Sequence, residues 1–390
     1  MDLHHYLSLM GYARSNAWCA YAEKPPLAVD KPVIAYYLPQ FHAIPENDAY
    51  WGKGFTEWRN VARGLPLFEG HLQPRHPADL GYYDLSRTEV LQQQAQLARN
   101  YGVAGWAFYH YWFDGRQVLQ GPIENLYRHP EIDIGYCVFW ANENWTRSWD
   151  GMQSNVLLQQ KHSAEDDIAF IATMAKYFSD PRYIRRNGQP VLMMYRPQLL
   201  PDARATADRW RNWCARQGVE VPYLIATQAY GLQHAGDVGF DACAEFPPHR
   251  GAAFRADLLR PAGPLKTFGP HRKMECVEYA SAVAAWSQPV PPQAGTLFKC
   301  VFPSWDNSVR RINAIPSIYA WSSPELYQQW LAYCLAQAAA GDFVFVNAWN
   351  EWAEGAYLEP DLFFGHAYLE ATWQAQAQMQ TQLAATGGTA

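Results

Sequence analysis

Residues 343–360 read FVFVNAWNEWAEGAYLEP. The first four are uniformly apolar. The stretch after them brings two glutamates, Glu351 and Glu354, three positions apart among Trp349, Trp352, Tyr357 and Asn350. An unbroken apolar run, rather than an alternating one, is the pattern of a strand buried on both faces of a parallel sheet. Seven further runs share it: VIAYYL (33–38), VAGWAFYHY (103–111), IGYCVFW (134–140), PVLMMY (190–195), YLIAT (223–227), DACAEF (241–246) and LFKCVFPSW (297–305). Helical patterns fall between several of them. SRTEVLQQQAQLARNYG (86–102) has Ser as a cap candidate, a Glu three residues on and a Gly stop. SAEDDIAFIATMAKYFSD (163–180) and SSPELYQQWLAYCLAQAAAG (322–341) are similarly punctuated, and ATADRWRNWCARQG (205–218) is a fourth. Eight strands alternating with helices predict an α/β fold, a (β/α)8 TIM barrel, with an open doubly wound sheet as the alternative. Residues 1–30 read as an N-terminal appendage to a single domain over 31–380, and the Pro- and Gly-rich stretch 247–296 as a long βα excursion.

Composition narrows the function. The 390 residues are 49% apolar and 17% charged, which is globular and not disordered. Net charge is −6 and no Lys/Arg block stands out, which argues against nucleic acid as a partner. Seven cysteines, at 19, 137, 214, 243, 276, 300 and 334, form no C-x-x-C, so neither a disulfide framework nor a zinc site is expected. The opening residues lack a basic segment followed by an apolar one, and no run of about 18 apolar residues exists. The expectation is a cytoplasmic protein without a membrane span. The outlier is aromatic content, with Trp 17 and Tyr 24 against Phe 18. A core alone would favour Phe. The excess of rings with polar edges suits a cleft that stacks on flat, partly polar ligands such as sugars.

In such a barrel the carboxyl ends of the strands converge on one face, where chemistry happens. The first run is followed by His42, Asn47, Trp51, Glu57 and Trp58. The second ends in Tyr109, His110, Tyr111 and Trp112, and the third leads into Asn142, Glu143, Asn144, Trp145 and Arg147. The sixth ends at Glu245, the seventh is followed by Trp305, Asp306, Asn307 and Arg310, and the eighth by Asn350, Glu351, Trp352 and Glu354. Each has a plainer explanation beside the functional one. His42 and His110 also read as structural histidines, and Glu57 and Glu143 as ion-pair partners. Arg75 and Asp79 read as loop pins. His71 and His76, five apart, lack a third ligand motif, so no metal is expected. The crowded pair Glu351 and Glu354 is costly to bury unless used or paired. Glycosidic cleavage needs one carboxylic acid for the leaving oxygen and a second carboxylate to activate or act as the nucleophile. Apolar walls and a neighbouring negative charge both raise the pKa of the acid. A helical turn would set residues three apart roughly 5–6 Å from each other, which suits a retaining geometry.

Five ordered segments, YYLPQFH, YWGKGFTEW, QPRHPADLGYYDL, WANENWTRSWDG and NAWNEWAEGAYLEP, together resemble the WbsX-type family of bacterial polysaccharide loci, whose domain is similar to glycoside hydrolase family 99. The resemblance covers residues 30–375. It implies a (β/α)8 barrel, no cofactor, an oligosaccharide or polysaccharide substrate and a setting in O-antigen or lipopolysaccharide assembly. Family 99 enzymes are retaining endo-acting α-mannosidases and mannanases with an N-E-W-x-E-G motif, which Asn350–Gly355 match. The match implies Glu354 as general acid/base and Glu351 as the base that removes the proton of the substrate's own 2-hydroxyl, through a 1,2-anhydro sugar. Family 99 proper has His between the glutamates where this chain has Ala353, so substrate identity is not carried over. Three functions are carried forward: a glycoside hydrolase, a glycosyltransferase or transglycosylase, and a non-catalytic carbohydrate-binding barrel. The chain shows no D-x-D and no G-x-G-x-x-G after a strand.

Overall fold

The computed structural model describes residues 13–28, 30–147, 152–268, 273–289 and 295–387. Eight parallel strands form a closed ring: β1 (Val33–Tyr37), β2 (Val103–Phe113), β3 (Gly135–Trp140), β4 (Gln189–Met194), β5 (Tyr223–Gln228), β6 (Ala242–Glu245), β7 (Thr296–Val301) and β8 (Val344–Val346). Each pairs with its neighbours in sequence. The ring closes where Val33 of β1 lies opposite both Val103 of β2 and Val344 of β8. This is the (β/α)8 barrel the eight apolar runs predict, and all eight runs overlap its strands.

The strands are mostly apolar because both faces are buried. Inside, the Tyr36 ring meets Phe139, Phe246 and Phe345 at centroid distances of 5.1, 5.0 and 5.4 Å. Outside, Trp140 stacks on Phe170 at 4.2 Å and packs against Trp210. The outer layer includes α1 (Thr88–Asn100), α2 (Gly121–Arg128), α3 (Ala164–Phe178), α4 (Ala203–Gln217), α5 (Tyr279–Trp286), α6 (Pro324–Gln337) and α7 (Ala367–Gly387). Ser163 and Ser323 cap α3 and α6 by accepting from the N–H of Asp166 and Leu326. The first helix departs from expectation: its cap position is Arg87, without a side-chain bond, and not Ser86. β5 and β6 are joined by a short 3-10 turn, Ala235–Val238, instead of a helix.

Three additions stand on the carboxyl ends of the strands. Trp145–Arg147 and Met152–Leu158 pair as a hairpin after β3. The excursion after β6 returns through Glu275–Glu278, which pairs with Ser317–Ala320, itself paired with Trp305–Asp306. Asn350–Glu351 and Ala356–Tyr357 form a tight hairpin after β8. Of the segment read as an appendage, residues 1–12 and 29 lie outside the described residues. The rest runs along the barrel, with Ser15 and Cys19 donating N–H bonds to the carbonyls of Phe363 and Phe364.

Candidate active site

The hairpin after β8 holds the two glutamates. Glu351 ends its first strand, residues 352–354 form one 3-10 turn, and Gly355 takes a left-handed φ of 62°. Gly355 is required there twice over: a Cβ would also come within 3.1 Å of the Arg75 guanidinium. Asn350 fixes the hairpin to β1, its Oδ1 accepting from Leu38 N–H (2.7 Å) and its Nδ2 donating to Leu38 C=O (3.0 Å).

A single arginine joins three carboxylates. Arg310 Nε donates to Glu57 (2.8 Å), Nη2 to Glu351 (2.9 Å) and Nη1 meets Glu354 (2.8 Å). Glu57 is fully buried and also accepts from Asn60 Nδ2 at 3.2 Å. Burial pushes the Glu351 carboxyl up to about 8; Arg310 opposes this, while Glu354 and Glu57 add to it. The carboxylates in turn hold the Arg310 guanidinium well above its ordinary value despite burial.

The cluster is the floor of a cleft with two lobes. The first, of about 250 Å³, is walled by Trp51, Tyr109, Tyr111, Trp145, Tyr195 and Phe246. Asn47 lines it too. Its carboxamide is buried, and among the described residues neither its N–H groups nor its oxygen has a hydrogen-bond partner. The second lobe, of about 810 Å³, includes Arg196, Tyr230, His249, Trp305 and Tyr319. Glu143, Asn144, Arg310 and Glu354 border both. Burial, with Arg196 adding to it, holds the His249 imidazole down to about 4, so it is neutral where it meets the Tyr195 hydroxyl at 2.9 Å.

Of the residues singled out in the sequence, the structure brings Asn47, Trp51, Tyr109, Tyr111, Glu143, Asn144, Trp145, Trp305, Asn307, Arg310, Glu351 and Glu354 to the cleft, with Glu57 in the floor cluster. His42, Trp58, His110, Trp112, Asn142, Glu245, Asp306, Asn350 and Trp352 lie elsewhere, and this corrects their placement. On β2, side chains alternate across the sheet. Tyr109 and Tyr111 therefore face the cleft, while Trp112 turns outward to donate to Asp166 (2.9 Å) and His110 packs near Phe170. Burial drives His110 down to about 4. Glu245 points away from the cleft into an ion pair with Lys299 (2.7 Å). Asn142 bonds the Arg196 backbone, accepting at 2.7 Å and donating at 2.8 Å. Asp306 accepts from His71 (2.8 Å) and Gln73 (2.6 Å). Burial alone would push its carboxyl up, yet His71, Gln73 and Arg75 hold it well below the usual range. Trp352 stacks on Tyr357 (3.8 Å) and donates to the buried Glu359 (2.6 Å). Trp58 packs on Phe41 and donates to the Tyr83 carbonyl, and His42 is buried outside the cleft lining. These residues and Asn350 support the site from behind. Ser148–Gly151, part of one quoted motif, lie outside the described residues.

Sequence reading did not connect Arg310 to the glutamates, and it missed Tyr195, Phe246 and His249. Tyr195 stands at the carboxyl end of β4, and Phe246 follows β6 directly. Strand position alone could have found both. Among the described residues no group of three or more His, Cys, Asp or Glu side chains has a metal-site arrangement, and no helix is long and apolar enough to cross a membrane.

Fold and cleft define a (β/α)8 barrel with an aromatic cleft floored by carboxylates. A family 99 endo-α-mannosidase from Bacteroides thetaiotaomicron superposes with a TM-score of 0.55 at 14% identity, covering 92% of this chain and 99% of that one. A solved structure described as a glycoside hydrolase-like protein gives 0.58 at 15% identity, covering 91% and 96%. At such identities the likeness is one of fold. The family model described as glycosyltransferase WbsX matches residues 33–372, and the chain belongs to that family. It is 46% identical over 355 residues to the uncharacterized protein WxcX of Xanthomonas campestris pv. campestris, covering 90% of this chain and 50% of the relative. The chain thus spans about half the length of the curated relatives it matches.

Proposed function

We propose that the chain is a retaining glycoside hydrolase acting on a bacterial polysaccharide or oligosaccharide, with acid and base drawn from its own carboxylates. The observation that carries this is the Glu57–Arg310–Glu351–Glu354 cluster on the floor of an aromatic-walled cleft. One guanidinium holds both carboxylates at the cleft, and a retaining pair of acid and base is the chemistry that the matching N-E-W-x-E-G motif implies for them. The unpartnered carboxamide of Asn47 offers the donor and acceptor that two neighbouring sugar hydroxyls would satisfy.

In this mechanism Glu354 gives its proton to the glycosidic oxygen. Glu351 takes the proton of the 2-hydroxyl, whose oxygen attacks the anomeric carbon as the leaving sugar departs. Water, losing its proton to Glu354, then opens the 1,2-anhydro ring, and the 2-oxygen recovers its proton from Glu351. The high pKa of Glu351 makes it a stronger base toward a hydroxyl than an ordinary carboxylate. It also means that the free protein near neutral pH holds a proton on Glu351, which must leave or pass to Glu354 before reaction.

The WbsX description favours a second reading, in which a sugar hydroxyl takes the place of water at the same carboxylates. One experiment separates them. Wild type and Glu354→Gln are incubated with α-mannans and with O-antigen and capsule fractions, in heavy-oxygen water and without nucleotide sugars, and products are read by mass spectrometry. Shorter fragments carrying the label, absent with the variant, are the expected result. Unlabelled fragments joined to other sugars would instead mean transfer. Full activity of Glu354→Gln would overturn the role of that residue.

A further inference from the structure

The second lobe contains a feature that the chemistry at Glu351 and Glu354 does not use. Tyr230 follows β5 and has a φ of 51°, in the left-handed region that side chains other than glycine adopt at a cost. Gly231 is adjacent, so the turn has a glycine beside the position and a tyrosine in it. Despite that cost, the residue is 55% exposed, so core packing does not account for it. A strained residue with an exposed ring points to use of the ring.

The ring is also held rigidly from behind. The Arg196 guanidinium lies 3.7 Å from its centroid, covering one face. Arg196 is fixed in turn by Glu143, whose carboxylate accepts from Nη1 at 2.6 Å. His249 packs at 4.8 Å and Tyr195 at 6.1 Å, both beside the ring. Trp305 lines the same lobe, and its buried Nε1–H has no partner among the described residues, leaving a donor for a ligand oxygen. A flat ring clamped on one side and open on the other matches the apolar face of a pyranose.

From these observations we infer that Tyr230, backed by Arg196, is the stacking platform of a distal sugar-binding subsite in the second lobe, which grips a pyranose unit beyond the bond at Glu354. Since Glu354 borders both lobes, a bound glycan runs from the aromatic first lobe past the carboxylates to Tyr230. The ligand class is therefore a chain of several sugars and not a monosaccharide. The inference rests on the carbohydrate reading above but not on turnover.

The test is affinity electrophoresis in gels cast with α-mannan, dextran or the polysaccharide of Xanthomonas campestris lipopolysaccharide, run on the Glu354→Gln background so that the polysaccharide stays intact. Retardation is expected in at least one gel. Tyr230→Ala should weaken it about tenfold, Tyr230→Phe should retain it, and Arg196→Gln should weaken it several-fold. Tyr230→Gly separates binding from folding. Glycine suits a φ of 51°, so its melting temperature should equal or exceed that of the parent while retardation is lost. A lower melting temperature for Tyr230→Gly would make the ring a structural prop and overturn the proposal. So would retardation unchanged in Tyr230→Ala, or no retardation in any gel. Retardation that depends on Tyr230 in a protein whose wild type releases no fragments would instead sink the hydrolase reading and leave the subsite standing.

Discussion

Among the described residues two buried glutamate–cation groups stand out, and they differ in balance. Behind the wall, Glu245 and Lys299 meet one to one at 2.7 Å, and the Cys300 N–H donates to the second oxygen of Glu245 at 3.2 Å. Burial pushes the Glu245 carboxyl up even beside Lys299, while the same carboxylate holds the ammonium of Lys299 up, and the contact is a closed ion pair. In the cleft, one guanidinium serves three carboxylates, and Glu57 Oε2 has no partner among the described residues. A one-to-one pair is structure. In the three-to-one cluster the surplus negative charge adds to burial in raising the Glu351 carboxyl, and a carboxyl so raised beside an open cleft is a candidate for acid/base chemistry.

The largest effect should come from removing the carboxylate nearest the open space. The Glu354 side chain is 24% exposed, against 6% for Glu351. Glu354→Gln keeps size and hydrogen bonding to Arg310, so the fold should survive with an unchanged melting temperature. Turnover of a proven substrate should fall roughly 10²–10⁴-fold, the range of general acid–base catalysis. Equal turnover by variant and wild type would make the imbalance in the cleft a structural accident.

Next comes the cation itself. Arg310→Met leaves three glutamates around an apolar side chain. Near neutral pH this should destabilise the protein by about 3–5 kcal/mol, the cost of stranding buried charge. Much of that should return near pH 4–5, where the glutamates can take up protons. Urea melts at both pH values check it. A loss of equal size at both would mean that packing, not charge, is what Arg310 supplies.

How much of this was legible follows the range of the interaction. The strands could be read because burial on both faces is written into consecutive residues. The glutamate pair could be read because its members are three apart. Arg310 could not be tied to them: it lies 41 positions from Glu351 and 253 from Glu57 in sequence, and only ring closure brings them together. The strand ends are harder to read for a local reason. In a cluster such as Tyr109–Trp112 every residue looks available in sequence, although the two-residue period of a strand sends every second side chain to the helix layer. Glu245, at the end of β6, is turned to that layer too. At the second lobe, composition announced aromatic rings but nothing local marked Tyr230, whose significance lies in a backbone angle and in an arginine from a different loop.

A smaller effect sharpens the comparison through pH. In the folded chain Glu351 keeps its proton up to about 8, whereas in the unfolded chain it is released near ~4.3. Between those values the unfolded state binds fewer protons. Stability from this group is therefore complete below ~4.3 and declines as pH rises through about 8. Glu359, pushed up to about 7 chiefly by burial, declines in the same direction but finishes earlier. Asp306 has the opposite sign: its depressed carboxyl contributes above ~3.9, and the contribution is lost as pH falls. Denaturation midpoints between about pH 7 and 8.5 should thus fall in wild type and stay nearly level in Glu351→Gln. Over the same interval the activity of wild type should climb, since the ionised Glu351 is the proposed base.

The smallest effect belongs to the balanced pair. Replacing Glu245 and Lys299 together by Leu and Met removes two buried charges and leaves none unmatched. Such exchanges are often neutral or stabilising by about 1–4 kcal/mol, whereas Lys299→Met alone strands Glu245 and should cost about 3–5 kcal/mol. Thermal melts of the single and double variants measure the difference, and activity measured alongside should not move, because the pair faces away from the cleft. The equivalent neutralisation in the cleft, Arg310→Met with Glu354→Gln, should regain some stability but no turnover. If the double variant behind the wall also lost activity, charge balance would not distinguish the two groups, and Glu245 would belong with the site where its place at the end of β6 first put it.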